Sequence, residues 1–361
     1  MVDLESFRHS CVAFIAASVA DGSACPAFGA ILPPDDLEPA LRWQRACFDE
    51  GFAGIHWPTE FGGRGLSREH AAIWYTECAR AAVSPYLNLQ GIILAGEAIL
   101  RAGTAEQKAR YLEPTLRGDV LWCQLFSEPT AGSDLASLST GAVLDGDEYV
   151  VNGQKVWSSN AQFAQAGILL ARTGVGPKHR GISFFCIDMD LPGIDVRPIR
   201  QMTGDAEFCE VFFSDVRLRS DALLGPLDGG WRVAMDVLAD ERGSFGAAGA
   251  LSMRRRLEAI RSRLDPVTST AVDRGDVSDL MVKGGALAAL LDRLGDQPAM
   301  APAAKLLRTE LEVEAAGLDH RLGGSVDSLL YSPGMRIAGG SSEIQRSIIG
   351  ERLLGLPREP S

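Results

Sequence analysis

Asp145-Gly146-Asp147-Glu148-Tyr149-Val150-Val151-Asn152-Gly153 is the stretch on which the fold turns. Asp-Gly and Asn-Gly are turn dipeptides, because their residues tolerate left-handed backbone. The segment between them, Glu148-Tyr-Val-Val151, is rich in β-branched and aromatic side chains and reads as a strand between tight turns. Outward from there the pattern repeats. Ile182-Ser-Phe-Phe-Cys-Ile187 and Phe208-Cys-Glu-Val-Phe-Phe213 are further strand candidates within 119–217. No long helix separates them, so the sheet is expected to be antiparallel, as a barrel or sandwich.

Both flanks carry the helical period instead. On the N-terminal side, residues 37–50, 69–82, 91–102 and 105–116 repeat apolar positions at helical spacing. Asp36 and Thr104 stand where caps belong, and Pro39 falls in a first turn, where proline is tolerated. Trp57-Pro58-Thr59-Glu60-Phe61-Gly62-Gly63 punctuates these helices as a loop. On the C-terminal side the spacing predicts helices over 231–264, 278–294, 300–322 and 342–354, a bundle count, with 265–276 as a polar loop. The expected fold is therefore α+β. An N-terminal helical domain (1–118) precedes a middle antiparallel β-barrel domain (119–222) and a C-terminal four-helix bundle (223–361).

Composition narrows the function. At 361 residues the chain is long enough for a large core. Its net charge of −12 argues against nucleic acid or an anionic membrane as the main partner. No apolar run reaches transmembrane length, and Met-Val-Asp-Leu-Glu-Ser lacks the pattern of a signal peptide. Seven scattered cysteines without a C-x-x-C pair are expected to be buried free thiols in a reducing cytoplasm. There is no P-loop, no H-E-x-x-H, and no pairing of the five histidines at metal-ligand spacing. Hydrolysis and metal chemistry are poorly supported.

Three places carry candidate chemistry. Glu241 falls on the apolar stripe of its helix, with Ala234, Leu238, Phe245 and Ala248 within roughly 60° of its direction. A carboxylate there is either paired or desolvated, and desolvation raises its pKa toward that of a competent base. Gln124-Leu-Phe-Ser-Glu-Pro-Thr-Ala-Gly-Ser-Asp134 leaves a strand for a loop that exposes hydroxyls and backbone N–H groups, and Trp157-Ser158-Ser159-Asn160 sets an indole beside hydroxyls. Together these suit a flat aromatic ligand. Arg336-Ile-Ala-Gly-Gly-Ser-Ser-Glu-Ile-Gln-Arg346 feeds a glycine hinge into a helix, and Ser342 with Gln345 has capping-box spacing. The free N–H groups of such a terminus favour a negative or carbonyl oxygen.

The last two stretches resemble the signature regions of the flavin-dependent acyl-CoA dehydrogenases, and the likeness runs over essentially the whole chain. Trp57-Pro-Thr-Glu-Phe-Gly-Gly63 resembles the family's W-P-x-x-x-G-G loop, and Phe213-Ser-Asp-Val-Arg-Leu218 into Leu224-Gly225 its β-to-α junction. Gly340 to Gly355 resembles its G-T-S-E-I-Q-R-N-I-I-x-E-R-x-L-G pattern. The resemblance implies the helical, β-barrel, helical fold, usually as a tetramer. It implies FAD lined by Gln124, Phe126, Ser127, Gly132, Ser133, Trp157 and Ser159. It sets Ser341 and Glu343 where the C-terminal motif meets the FAD, usually that of a neighbouring subunit. The family's commoner site for its catalytic glutamate is occupied here by Gly339, which cannot take a proton. The alternative site, in an L-x-x-E-R context, is Leu238-Ala-Asp-Glu241-Arg242, as in the isovaleryl- and long-chain-type branches. The implied reaction is α,β-dehydrogenation of an acyl-CoA, with Glu241 as base and the N–H of Gly339 on the thioester carbonyl. The implied electron acceptor is an electron-transfer flavoprotein.

Departures from the family pattern cluster in one half-site. Thr130 replaces a glycine, 265–275 lacks the R-x-x-F-G segment, and His320-Arg-Leu-Gly-Gly-Ser-Val326 lacks the glutamine and last glycine of Q-x-x-G-G-x-G. The contribution to a neighbour's cofactor looks degraded while the chain's own flavin loop looks intact. That implies one subunit of a heterotetramer with a paralogous partner, as in bacterial enzymes of the family that act on steroid side-chain CoA esters; 171–183 also resembles that group. A homotetramer, a non-catalytic structural subunit and an acyl-CoA oxidase are the alternatives.

Overall fold

The computed structural model describes residues 2–27, 37–176, 178–244, 246–294 and 297–357; the side chains of 239–244 lie outside what it describes. Asp36 therefore lies outside the described residues, as does Phe245. The chain divides into two compact units, Met1–Glu241 and Arg242–Ser361.

The first unit opens with helices α1 (Leu4–Ala20), α2 (Leu37–Asp49), α3 (Arg68–Ala81), α4 (Gly96–Ala102) and α5 (Ala105–Arg117). Asp3 caps α1, and Thr104 caps α5 in a reciprocal box with Gln107. An aromatic column ties the first three helices: Phe14 stacks on Trp43 (5.3 Å) and Phe52 (5.0 Å), and Phe52 on Trp74 (4.7 Å).

Eight strands follow: β1 (Trp122–Leu125), β2 (Gly141–Asp145), β3 (Glu148–Ser159), β4 (Ala166–Arg172), β5 (Ile182–Asp188), β6 (Ile194–Ile199), β7 (Phe208–Arg219) and β8 (Leu223–Leu224). They form one sheet in the order β6-β7-β3-β2-β4-β5-β8, with β1 on β4. The expected barrel does not close. Among the described residues β6 pairs only with β7 and β8 only with β5. Strand β4 gives residues 166–169 to β1 and meets β2 through the single pair Gly141↔Arg172. Nor is the sheet wholly antiparallel, since β1 and β4 run parallel, joined through the β2–β3 hairpin rather than a helix.

The two turn dipeptides behave differently. Gly146, at φ +68°, starts the two-residue loop between Asp145 and Glu148. Asn152-Gly153 makes no turn; β3 runs straight through it with a register shift against β7. Asn152 is occupied across the strands, donating to Asp215 Oδ1 (3.0 Å) and accepting from the Asp215 N–H (2.9 Å). Gly153, at φ +153°, lets β3 close on Thr140, where a Cβ would come within 2.5 Å of Oγ1.

Helix α6 (Gly230–Ser244) runs across the boundary between the two units in the chain. The second unit holds α7 (Gly246–Ser262), α8 (Ala271–Asp292), α9 (Ala301–Arg321), α10 (Val326–Ile337) and α11 (Ser342–Ile348) with a π-turn after it. Leu257, Leu287 and Leu311 of α7, α8 and α9 meet in its core. Two expectations fail here. The loop over 265–276 is shorter, because Thr270 and Asp273 form a capping box that starts α8 at Ala271. And α10 is a helix where none was read, capped by Ser325 and carrying Pro333 in its interior. No described helix is long and apolar enough to cross a membrane. All seven cysteines are free and buried, as expected.

Strand β1 is aimed by two buried amides. Gln44 donates to the Leu116 carbonyl (2.6 Å) and accepts from the N–H groups of Leu87 (3.1 Å) and Asn88 (3.4 Å). Asn88 donates to the Thr115 and Val120 carbonyls and accepts from the Trp122 N–H. Gln44→Leu orphans a buried carbonyl and two buried N–H groups at about 1–3 kcal/mol for a buried group left unpaired. A loss of about 3 kcal/mol in urea unfolding is expected; a change under 1 kcal/mol would refute this account.

Candidate functional site

The site is built between the loop after β1 and the end of β3. Leaving β1, the chain closes a small turn in which Glu128 and Ala131 exchange N–H···O bonds of 3.0 and 3.1 Å. Phe126 is buried edge-on against Phe184, 5.8 Å between centroids. Gly132 and Ser133 follow, exposed to solvent. A Cβ on Gly132 would meet nothing within 4 Å. Gln124 is half-buried on β1, opposite Ile168.

The facing wall owes its shape to a second irregularity of β3. Its register against β7 shifts between Lys155 and Ser158, and Trp157 takes φ +62°, a conformation that bulky residues rarely adopt. The shift turns the indole outward: Trp157 is 59% exposed although its neighbours Val156 and Ser158 are buried. Phe208 meets its ring edge-on at 6.0 Å. Strain of this kind persists only where surrounding contacts enforce it. Ser159 is half-buried beside it. Ser158 Oγ and Asn160 Oδ1 are buried and make no hydrogen bond. Buried polar atoms are nearly always paired, so this wall offers spare hydrogen-bonding capacity beside an outward-facing aromatic ring.

Beneath both walls lies a pair the sequence reading missed. Lys155, fully buried, donates from Nζ to Glu128 Oε1 (2.8 Å) and to the Phe126 carbonyl (3.0 Å). Glu128 also accepts from the Thr140 N–H (2.9 Å) and from the N–H and hydroxyl of Ser139 (2.7 and 2.8 Å). Burial by itself raises the Glu128 carboxyl, but the Lys155 ammonium and these donors outweigh it and pull it down to about 2. Burial pulls Lys155 down to about 8 against the attraction of Glu128. The shift on Glu128 favours charge and that on Lys155 opposes it. The donors on Glu128 decide for an ionised carboxylate, and with it a protonated lysine at neutral pH. A signal did exist: Lys155 keeps the odd-numbered inward phase of Tyr149 and Val151 along β3.

The second unit carries its own candidate feature. Gly339 (φ +64°) and Gly340 (φ +96°) form a left-handed turn. The expected capping box does not form. Ser341 is the cap, accepting from the Ile344 N–H (3.4 Å), while Ser342 is the first helical residue and buried. Gln345, fully buried, donates instead to the carbonyls of Gly339 (3.1 Å) and Gly340 (3.4 Å). Lys305 donates to the carbonyls of Gly340 and Arg336. Glu343 is exposed, and its own N–H and the Ser341 hydroxyl hold its carboxyl below the usual range. Glu241 lies on α6, and its side chain falls outside the described residues.

Known proteins resemble this chain along its length. The family model described as acyl-CoA dehydrogenase, N-terminal domain, matches residues 3–119, and that for the acyl-CoA dehydrogenase middle domain matches 123–216. Acyl-CoA dehydrogenase IpdE1 of Mycobacterium tuberculosis is 38% identical over 386 residues, with 99% of each chain covered. A chain of the ChsE4-ChsE5 complex from the same species superposes with a TM-score of 0.81 at 28% identity, covering 99% of this chain and 98% of that one. A chain of the Tcur3481-Tcur3483 steroid ACAD gives 0.83 at 27% identity, with the same coverage.

The Glu128 shift has a consequence in acid. Its folded value, about 2, lies below the ordinary 4.5, so the stabilisation it lends is complete above 4.5 and is lost as pH falls toward 2. Unfolding free energy measured from pH 6 to pH 2.5 should drop more steeply for the wild type than for Glu128→Gln/Lys155→Met. Parallel curves would refute the assignment.

Proposed function

We propose a function from one premise: the chain belongs to the acyl-CoA dehydrogenase family. That family is flavin-dependent. The proposed reaction is oxidation of an acyl-CoA thioester to the 2-enoyl-CoA. The observation that carries it is the cradle: an outward indole at φ +62°, with two buried polar atoms free beside it, facing the loop after β1. These residues fit the flat, heteroatom-edged ring of FAD. Gln124, Phe126, Ser127, Gly132 and Ser133 line one side, and Trp157 and Ser159 the other. FAD, when bound, supplies the acceptor for the hydride that leaves the β-carbon.

The chain's own residues supply the rest. Glu241 removes the α-proton. An α-C–H beside a thioester is a weak acid, so its carbonyl has to be polarised, and the backbone N–H of Gly339 takes that part. Ser341 and Glu343 complete the FAD site of a neighbouring subunit in a tetramer. An electron-transfer flavoprotein receives the electrons, and the cytoplasm is the proposed compartment. Three domains, 1–118, 119–222 and 223–361, organise this chemistry, the last holding six described helices rather than the four expected.

The altered 265–275 and 320–326 segments support a heteromer in which a paralogous chain supplies the missing FAD contacts. The two similar solved structures are the ChsE4-ChsE5 complex and the Tcur3481-Tcur3483 steroid ACAD, both two-component, and a bulky steroid-derived acyl group is the substrate class we favour. The same segments favour a second reading, a subunit without turnover of its own.

Glu241→Gln separates these readings. As base, its loss lowers kcat by about 10²–10⁴-fold with melting temperature and bound flavin unchanged; an assembly with undiminished turnover would leave only the non-catalytic reading. Expressed alone, the chain is expected to hold less than one FAD per subunit. Full occupancy in a stable homotetramer would defeat the two-chain proposal.

A further inference from the structure

The proposed chemistry makes no use of Lys155 and Glu128. Replacing a buried ion pair by apolar side chains of the same volume is often neutral or stabilising. Stability alone therefore gives no reason for charge at this place, and location has to supply one.

Lys155 is the last residue of β3 in register with β7 before the shift that ends at Ser158. Its ammonium holds the Phe126 carbonyl at 3.0 Å, and the N–H of the next residue, Val156, holds the next carbonyl, Ser127, at 2.9 Å. Two consecutive carbonyls of the loop are thus fastened to two consecutive residues of the strand. The fastening comes immediately before the strand buckles to present Trp157. At the other end of the pair, Glu128 gathers the N–H groups of Ser139 and Thr140, where the chain enters β2. Three segments distant in sequence meet at one buried charge pair, and two of them are the walls of the cradle.

We propose that Lys155 and Glu128 are positioning residues for the flavin, holding the 126–128 loop against β3 so that loop and Trp157–Ser159 face the ring at a fixed separation. This rests on the reading of the cradle as the flavin site. Neutral side chains of similar size would fill the space without reproducing the clamp. Methionine cannot donate to the Phe126 carbonyl. Glutamine offers one acceptor oxygen to N–H groups that now meet two.

The test uses the full-length protein in its native assembly, stripped of flavin and titrated with FAD by fluorescence quenching. Lys155→Met/Glu128→Gln leaves no unpaired buried charge, so its melting temperature should stay within a few degrees of wild type. Its Kd for FAD should rise at least tenfold, and the visible band of bound flavin should lose vibronic structure. Ser139→Ala removes a donor to Glu128 and no charge; a two- to threefold rise in Kd is expected, so the question is answered even if the double variant does not fold. Wild-type Kd and spectrum in a folded double variant, or an unchanged Kd in Ser139→Ala, overturn the proposal while the flavin reading stands. A wild type that binds no FAD overturns both.

Discussion

A lysine ammonium in a protein interior has to find partners, because leaving it charged and unpaired costs several kcal/mol. Lys155 finds them in one place only, between the Phe126 carbonyl and Glu128. That requirement fixes where the loop after β1 lies on β3, and through Ser139 and Thr140 it fixes where β2 begins. The close approach of Gly153 to Thr140 belongs to the same knot. So does Trp157, since the strand departs from its register directly after Lys155. The cradle is thus a consequence of satisfying one buried charge, with the aromatic ring displayed where the sheet gives up its regularity.

Much of this fold was legible in the sequence because local chemistry and tertiary outcome agreed. Thr104-x-x-Gln107 reads as a capping box and is one. Asp145-Gly146 reads as a hairpin turn, and the two-residue loop follows. The misreadings arise where one residue type serves two structures. Asn-Gly supplies positive φ equally well to a turn and to a bulge. At Asn152-Gly153 the cross-strand bonds to Asp215, far away in sequence, decide for the bulge. Helix α10 was not read at all, although Ser325 caps it, and it carries Pro333 in its interior. Closure of the sheet escaped for a different reason. No local pattern says whether the edge strands β6 and β8 meet.

The candidate site was legible to a lesser degree. The loop from Gln124 to Asp134 and the Trp157–Ser159 segment are its two walls. The orphaned atoms belong to Ser158 and Asn160, which no local pattern ranks above their neighbours. Strict alternation places Ser158 opposite its neighbours, and only the register shift reveals which face it takes. In the C-terminal motif the residue spacing suggested a box between Ser342 and Gln345. Instead Gln345 reaches back past the cap to the glycine carbonyls. A glutamine there braces the turn, and the cap is left to Ser341.

That bracing bears on where a base can stand. A Cβ on Gly339 would meet nothing within 4 Å, so space does not keep a side chain away. Backbone does: at φ +64° an L-residue costs roughly 1–2 kcal/mol. A cost of that size is one that function readily outweighs where a carboxylate is needed, so on the proposed chemistry the glycine marks a turn relieved of that duty. On the proposed chemistry the two tasks are then divided. The turn, clamped by Gln345 and Lys305, keeps only the placing of its N–H groups. The carboxylate of that proposal is Glu241, on α6. On that division, a hydrogen-bonded turn is left to polarise the carbonyl, and α6 carries the base.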